Sequence, residues 1–277
     1  MKLVSDKIFR QFQYLAPDNI HSPDVAAIFT TRNGGVSGMT PGTEKFRSMN
    51  LQFNSTRDDF GNVAENCKIA ASSQGFCADD IICLRQKHTD QIIAVDKKIA
   101  ESRPHFELAE ADALVTNIKG VLLSVYTADC VPILLYDSFT GSIGAVHAGW
   151  RGTFTKIAAK TVRLMSELYK TNPQNIQAAI GPAIGLCCYE VDKNFYGQFR
   201  QEYGDTIDEF FLINPSNKPK CDLKAMNKSF LCEAGLIEAN IDMSELCTMC
   251  NPELFYSHRR SGIERGTMAA FIGMRDR

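Results

Sequence analysis

The sequence of 277 residues is poor in histidine, almost neutral in net charge and free of long apolar runs. No stretch approaches the roughly 20 continuous apolar residues that cross a bilayer, which excludes a membrane-spanning helix and a membrane partner. The 30 basic and 32 acidic residues give a formal charge of −2, so we expect no general attraction to nucleic acid. Residues 1–17 have no apolar core after the first charge and do not resemble a secretion signal. These absences predict a cytoplasmic protein.

The ten cysteines do not indicate a disulfide framework, because their share of the chain is far below the roughly 8–10% of a short disulfide scaffold. In a cytoplasmic protein we expect reduced thiols that mostly pack as small apolar side chains. The CxxC motif of Cys247 and Cys250 lacks a partner pair. The adjacent Cys187 and Cys188 are poorly placed to hold one metal ion without strain, so packing is predicted for all four.

The secondary structure predicted from apolar patterning contains more strands than helices. Strands are predicted at 26–31, 81–86, 91–95, 112–116, 121–126, 132–136, 142–147, 176–180, 254–257 and 267–273. Helices are predicted at 59–76, at 153–169 with Thr153 as cap, and from Asp222 to Gly235. Because strands and helices do not alternate strictly, we predict an α+β (mixed α/β) fold of layered mixed sheets packed with helices, in one domain spanning 1–277.

The common signatures GxGxxG, P-loop, HExxH and GxSxG are missing, which argues against nucleotide-cofactor and serine-hydrolase chemistry. What is present is a set of three residues near the ends of predicted strands: His88, Cys130 and His147. They are too far apart in sequence to form a local ligand pair, so only the fold can bring them together. As a His₂Cys set they suit zinc, with a fourth position open as in catalytic sites.

Two other interpretations of the same three residues stay open. In the first, no metal is bound, and Cys130 is a thiolate nucleophile with His147 or His88 as its base. In the second, the set holds copper, because two histidines and a cysteine also describe a type-1 copper site.

An anion site is predicted in the segment HAGWRGT (147–153), where Arg151 lies between glycines just before a predicted helix. Backbone N–H groups at the helix start and the guanidinium favour phosphate or carboxylate, although a solvated turn is the alternative. Arg32, beside the turn 33–35, is a second candidate. Asp129, adjacent to Cys130, can orient a ligand or accept a proton, or simply cap a turn.

At these residues the chain resembles the laccase-domain family, whose members are called polyphenol oxidase, peptidoglycan editing factor or purine nucleoside phosphorylase. The matching segments, in order along nearly the whole chain, are TTRNGGVS (30–37), SMNL (48–51), DDFGNVAENC (58–67), RQKH (85–88), ADALVT (111–116), YTADCVPILLYD (126–137), AVHAGWRGT (145–153), AAIGPAIGLCCYEV (178–191), AGLIEANID (234–242) and FYSHRR (255–260). In one departure, the chain has residues 264–266, Glu-Arg-Gly, where the family usually has a Gly-Arg pair.

The resemblance implies zinc ligands at His88, Cys130 and His147, and a fold shared with cysteine-hydrolase-like toxins. It implies phosphorolysis of adenosine, inosine or methylthioadenosine, zinc-dependent adenosine deamination, or hydrolytic removal of a wrong amino acid from a peptidoglycan precursor. Five histidines are too few for the copper centres of a multicopper oxidase, so oxidase activity is discounted.

The leading hypothesis is a zinc enzyme that acts on purine nucleosides and phosphate, with an open oligomeric state. Its predicted catalytic residues are the three zinc ligands and Asp129. Its predicted substrate-binding residues are Arg32, Asn50, Gln86 and Arg151. The alternatives are a peptidoglycan-editing amidase that uses zinc or a cysteine nucleophile, a copper oxidase, and a zinc-stabilised protein without enzymatic activity.

Overall fold

The computed structural model describes residues 1–6, 11–39, 42–51, 58–102, 109–213 and 218–276. The strands in these residues are β1 Lys2–Ser5, β2 Gln13–Ala16, β3 Val25–Thr30, β4 Ile81–Ile82, β5 Ile92–Ala94, β6 Ala113–Thr116, β7 Leu122–Thr127, β8 Val131–Asp137, β9 Ser142–Ala148, β10 Gln177–Ile180, β11 Phe211–Leu212, β12 Lys220–Cys221, β13 Ile241–Met243 and β14 Met268–Met274. The α-helices are α1 Phe60–Ser73, α2 Lys97–Glu101, α3 Trp150–Phe154, α4 Ile157–Tyr169, α5 Lys193–Tyr203, α6 Leu223–Glu233 and α7 His258–Ser261.

The strands form two six-stranded mixed sheets and a small hairpin of β11 and β12. The first sheet has the order β1-β2-β3-β14-β7-β4, and only the β4–β7 pair in it is parallel. The second sheet has the order β13-β10-β8-β9-β6-β5, with parallel pairs at its two edges. The predicted α+β class with layered mixed sheets is therefore confirmed.

Four layers follow from the way the strands distribute their apolar side chains. In β8, Ile133 and Leu135 pack in one core with α4 and α6, whereas Leu134 and Tyr136 pack in a second core against the first sheet. The helix α1 packs on the outer face of the first sheet, and the residues between them form a third core. Because side chains alternate between the two faces of a strand and both faces of β8 are covered, its sequence is a continuous apolar run.

The helix predicted at 153–169 is interrupted in the structure. It begins earlier, at Trp150, and Thr153 lies buried inside α3 rather than capping a helix. Lys156 adopts a left-handed conformation with φ of 56° and separates α3 from α4. The break separates α3, which follows directly after β9, from α4, which packs on the second sheet.

Other elements also differ from the prediction. The strand predicted at 254–257 is wrong: Leu254 lies in a turn and 255–257 are irregular, although Phe255 and Tyr256 are buried. The helix α5, with Asp192 accepting the backbone N–H of Phe195 as its N-cap, was not predicted. Across the described residues, every helix is too short or too polar to cross a bilayer.

Candidate metal centre between two cavities

The fold gathers His88, Cys130 and His147 at one end of the paired sheets. His88 lies in the connection between β4 and β5, Cys130 ends the turn between β7 and β8, and His147 belongs to β9. In the antiparallel pair β8–β9, Val131 is opposite Ala148. The neighbours of Cys130 and His147 are thus adjacent in the sheet, while His88 approaches from a loop.

The distances within this cluster suit the binding of one metal ion. Nε2 of His88 lies 3.6 Å from Sγ of Cys130, and the centroids of the two imidazole rings are 4.9 Å apart. One ligand atom from each residue lies within 4.8 Å of the other two. His147 is buried, Cys130 is partly exposed and His88 is exposed, so the cluster is open to solvent on one side.

The buried carboxylate of Asp112 supports two of the three cluster residues. Its Oδ1 accepts hydrogen bonds from Nδ1 of His147 at 2.8 Å and from the backbone N–H of His88 at 3.0 Å. Its Oδ2 accepts the backbone N–H and the hydroxyl of Thr89 at 2.6 and 2.7 Å. The bond to Nδ1 leaves Nε2 of His147 as the nitrogen available to a metal ion, and it fixes the plane of the ring.

The charges in the cluster stabilise one another. Burial by itself raises the pKa of the Cys130 thiol, but the charges and hydrogen bonds of His147 and His88 outweigh it and lower that pKa to about 6. Burial lowers the pKa of His147, whereas Cys130 and Asp112 together raise it to about 9. Asp112 is also buried, and its bonds to His147 and Thr89 hold the pKa of its carboxyl well below the usual value. Without a metal ion, Asp112, His147 and Cys130 thus favour one another's charged forms.

Gly149 is required by the packing of this cluster. A Cβ atom at this position would lie 2.6 Å from Cδ2 of His88 and 3.3 Å from Sγ of Cys130. Since Cβ atoms essentially never approach other heavy atoms within 3.0 Å, any side chain here would displace the His88 ring. The first glycine of the segment 147–153 therefore maintains the close approach of His88 and Cys130.

Two cavities meet at the cluster. The first has a volume of about 510 Å³ and is lined by all three cluster residues together with Gln86 and Tyr126. The second has a volume of about 310 Å³ and shares His88 and Cys130 with the first. A ligand in either cavity would therefore contact the cluster.

The second cavity is rich in cationic side chains. Arg151, Arg259 and Arg265 line it, and Arg265 also lines the first cavity. The guanidinium of Arg151 stacks over the ring of Trp150 at 4.4 Å from its centroid. Burial lowers the pKa of Arg265, while Asp129 and Cys130 favour its charged form. Three guanidinium groups around one cavity make it suitable for an anion.

Two residues predicted to bind substrate form hydrogen bonds from their side-chain amides to the protein backbone. Gln86 lines the first cavity, but its amide donates to the carbonyl of Tyr126 at 2.8 Å and accepts the N–H of Tyr126 at 2.7 Å. Asn50 is fully buried and accepts the N–H of Thr267 at 3.0 Å. Thr267 lines the first cavity, so Asn50 lies behind the cavity wall and holds the backbone of Thr267 in place. Their roles toward substrate stay predictions.

Arg32 lies outside both cavity linings. Its guanidinium donates to the carbonyls of Arg47 and Pro252 and stacks over the ring of Tyr256 at 4.6 Å. These contacts tie three loops together. A role of Arg32 in holding phosphate stays a prediction that this placement does not favour.

Asp129, predicted to orient a ligand or move a proton, anchors the Cys130 turn. Its φ of 94° is a conformation that L-residues rarely adopt, and its carboxylate holds it there through three hydrogen bonds. Oδ1 accepts the hydroxyl of Thr248 at 2.5 Å, and Oδ2 accepts the hydroxyl of Ser257 at 3.0 Å and the N–H of Arg259 at 2.6 Å. Because it accepts these three hydrogen bonds, the carboxylate fixes the turn and so positions Cys130. Its part in proton transfer stays a prediction.

Asp112 and Arg265 are among the residues of the site that the sequence analysis missed. Asp112 lies in the segment ADALVT, and its position just before an apolar strand was the available signal. Arg265 lies in the segment where the chain departs from the family, and its Nη1 donates to the carbonyl of Gly266 at 3.1 Å. Only the folded chain shows that Arg265 reaches both cavities.

Comparisons with known proteins match this chain over most of its length. The profile of a family described as multi-copper polyphenol oxidoreductase laccase matches residues 26–275. The chain is 34% identical over 266 residues to purine nucleoside phosphorylase YlmD of Bacillus subtilis, covering 94% of this chain and 92% of that protein. It is 35% identical over 246 residues to adenosine deaminase RL5 of an unknown prokaryotic organism, covering 87% and 91%.

A solved structure shares the fold. The crystal structure of YlmD from Geobacillus stearothermophilus superposes with a TM-score of 0.86 at 33% identity, covering 96% of this chain and 97% of that one. The similarity to laccase-domain structures therefore extends over both sheets and the helices. The names of the relatives support nucleoside-processing activity within this group.

Proposed function

Because the chain belongs to the multi-copper polyphenol oxidoreductase laccase family, we propose that it is a zinc-dependent enzyme of purine nucleosides. In the proposed phosphorolysis, phosphate displaces the base of adenosine, inosine or methylthioadenosine and leaves a sugar 1-phosphate. In the proposed deamination, adenosine and water give inosine and ammonia. The observation that carries the proposal is the cluster of His88, Cys130 and His147 where two cavities meet.

The donor atoms of the cluster fit zinc. In a tetrahedral site with Zn–S of about 2.3 Å and Zn–N of about 2.0–2.1 Å, a sulfur and a nitrogen ligand lie about 3.6 Å apart. Sγ of Cys130 and Nε2 of His88 are 3.6 Å apart. Zinc held by three protein ligands supplies Lewis-acid chemistry at its open position.

The protein residues divide the remaining work between the two cavities. We assign the nucleoside to the first cavity because it is the larger of the two and is lined by Tyr126 and Gln86 as well as by Arg85 and Lys87. We assign phosphate to the second cavity, where Arg151 and Arg265 offer charge-assisted hydrogen bonds. Asp112 keeps the proton of His147 on Nδ1, so that Nε2 faces the reaction site in one tautomer.

Metal analysis combined with an adenosine assay tests this function. Protein as purified is expected to form adenine only with phosphate present and to form inosine without it. Chelation should abolish both products, and added zinc should restore them. Full formation of either product by metal-free protein would contradict the zinc-dependent account of that reaction.

Replacing Arg265 with glutamine is expected to raise the KM for phosphate about 10- to 100-fold, because a charge-assisted hydrogen bond is worth about 1.5–3 kcal/mol. Inosine formation, which needs no phosphate, should change much less. Steady-state kinetics with varied phosphate measure the effect. The matched control is Arg163→Gln on the exposed face of α4, which should leave both reactions unchanged. Equal losses of adenine and inosine formation would place Arg265 outside the phosphate site.

A second candidate is a cysteine-dependent amidase acting on a cell-wall precursor. The observation that favours it is the order Asp112, His147 and Cys130, a carboxylate that orients an imidazole beside a thiol. In that reaction the Cys130 sulfur attacks the amide carbonyl and His147 protonates the leaving amine, after which water releases the acid from sulfur. A bound zinc ion and the amide carbonyl would compete for the same sulfur atom.

The pH dependence of thiol alkylation tests the activated thiol directly. In metal-free protein, iodoacetamide labelling of Cys130 should rise through a midpoint near pH 6, because the thiolate reacts and its pKa is lowered to about 6. His147→Gln removes the main stabilising charge and should move the midpoint upward. Peptide mass spectrometry measures the labelled fraction. A wild-type midpoint near the ordinary value of about 8.5 would remove the basis of this candidate.

A further inference from the structure

A second group of sulfur atoms lies outside the cluster of His88, Cys130 and His147. Cys187 and Cys188 belong to the turn that follows β10, and Cys247 and Cys250 belong to the turn that follows β13. The four Sγ atoms all lie within 4.8 Å of one another. Sγ of Cys250 is 3.5 Å from Sγ of Cys187 and 3.3 Å from Sγ of Cys188.

We propose that these four cysteines, which we call the four-sulfur cluster, bind one zinc ion as a structural site. In a tetrahedral Zn(Cys)₄ site with Zn–S of about 2.3 Å, the sulfur atoms lie about 3.8 Å apart, close to the distances in the four-sulfur cluster. Four protein ligands leave no open position, which is the pattern of structural rather than catalytic zinc. The proposal is independent of the chemistry assigned to Cys130.

The local backbone supports thiolate ligands in the four-sulfur cluster. The N–H of Gly185 donates to Sγ of Cys247 at 3.3 Å, and such a bond favours the thiolate. The carbonyl of Gly185 accepts the N–H groups of both Cys188 and Tyr189, which bends the chain so that adjacent cysteines reach one point. This turn removes the objection, raised from the sequence, that Cys187 and Cys188 are too close together to share a metal ion.

Two lysines lie beside the four-sulfur cluster and offset its negative charge. Nζ of Lys220 donates to the carbonyl of Cys187 at 2.7 Å. Lys224 is buried, donates to the carbonyl of Ser244 at 2.5 Å and interacts electrostatically with Cys187 and Cys247. A zinc ion with four thiolates carries a net charge of about −2, which two ammonium groups balance.

The four-sulfur cluster joins a turn that lines the second cavity to a turn that holds Asp129, which also lines it. In one turn, Ile184 donates its N–H to the carbonyl of Asp129 at 2.9 Å, and Tyr189 lines the cavity. In the other, Thr248 donates its hydroxyl to the carboxylate of Asp129 and its N–H to the carbonyl of Ala183. A metal ion that links the turns therefore fixes the residues that hold Asp129, next to Cys130.

Zinc content of reduced, full-length protein tests the proposal. Wild-type protein should contain about two zinc ions per chain, and both Cys130→Ser and the double variant Cys187→Ser/Cys250→Ser should contain about one. The matched control, Cys77→Ser/Cys232→Ser, changes two cysteines outside both clusters and should keep about two. If only the proposed enzymatic site fails to bind zinc, wild-type protein and Cys130→Ser should each contain about one zinc ion, and the double variant should contain none.

A conservative variant guards against loss of folding. Cys250→His keeps four zinc-binding side chains, so it should retain the second zinc ion and the melting temperature that Cys250→Ser loses. In cobalt-substituted Cys130→Ser protein, the sulfur-to-cobalt absorption should disappear when Cys187 and Cys250 are replaced. A wild-type chain with one zinc ion, all of it lost in Cys130→Ser, would overturn the proposal. So would a denatured, unreduced mass showing disulfides among these four cysteines in freshly purified protein.

Discussion

Replacing Cys130 with serine is expected to remove the zinc ion from the cluster and to lower the formation of both adenine and inosine at least about 10³-fold. Serine is a poor zinc ligand beside two histidines, and loss of Lewis-acid stabilisation costs several kcal/mol in the transition state. Metal analysis and a single adenosine assay that reads both products measure the effect. The folded structure should persist, because serine is similar in size to cysteine and Cys130 is partly exposed.

The matched control is Cys77→Ser, which changes an exposed cysteine outside both clusters and should leave zinc content and rates unaltered. Loss of only one product in Cys130→Ser would mean that the other reaction does not use this cluster. Retention of both products at wild-type rates would refute the proposed function, even if the zinc content had fallen.

Asp112→Asn is expected to have the second largest effect, on stability and metal affinity together. The carboxylate accepts from Lys87, His88, Thr89 and His147, and an amide turns one of these acceptor oxygens into a donor. The buried donors left without an acceptor should cost about 3 kcal/mol of unfolding free energy. Zinc affinity should fall about 10- to 100-fold, because the His147 ring and the His88 backbone lose their common support.

Asp137→Asn separates these two effects. Asp137 is fully buried at the opposite end of β8 from Cys130 and accepts the N–H of Phe139 and the hydroxyl of Thr140. Its replacement should lower stability without changing zinc affinity. Urea unfolding and competition with a chelating dye measure the two quantities. An Asp112→Asn protein with wild-type zinc affinity would show that the carboxylate serves folding alone.

The strands around the site were predictable because they are buried on both faces. β8 and β9 have continuous apolar sequences, and the predicted segments 132–136 and 142–147 differ from them by at most one residue at each end. The same criterion failed at 254–257, where Phe255 and Tyr256 are buried in the core between the two sheets while their backbone is irregular. Apolar composition reports burial, and it reports strand geometry only when a neighbouring strand pairs with the segment.

The helices show where local patterns were insufficient. α6 was predicted from its apolar spacing and from Asp222, which accepts the N–H of Ala225 as the N-cap. α5 was missed because its apolar positions are filled by aromatic side chains among many polar residues. These rings pack against one another and against Phe211 of β11. The break at Lys156 has no glycine or proline to mark it.

The site was partly predictable for the same reason. Three residues could be grouped because each is a histidine or cysteine, the residue types that bind zinc, near the end of an apolar strand: His88, Cys130 and His147. The support of Asp112, the reach of Arg265 and the four-sulfur cluster depend on how loops from distant parts of the chain meet. Nothing in the spacing of Cys188 and Cys247 indicates that their turns are neighbours.

The position of Arg265 on the wall shared by both cavities has a thermodynamic consequence. An anion that binds in one cavity neutralises part of the positive potential felt in the other, so the two binding equilibria are linked. Linkage is reciprocal: whatever penalty phosphate imposes on a negatively charged ligand of the first cavity, that ligand imposes on phosphate. Under the proposed assignment of phosphate to the second cavity, an uncharged nucleoside in the first cavity avoids this mutual antagonism, whereas a nucleotide encounters it.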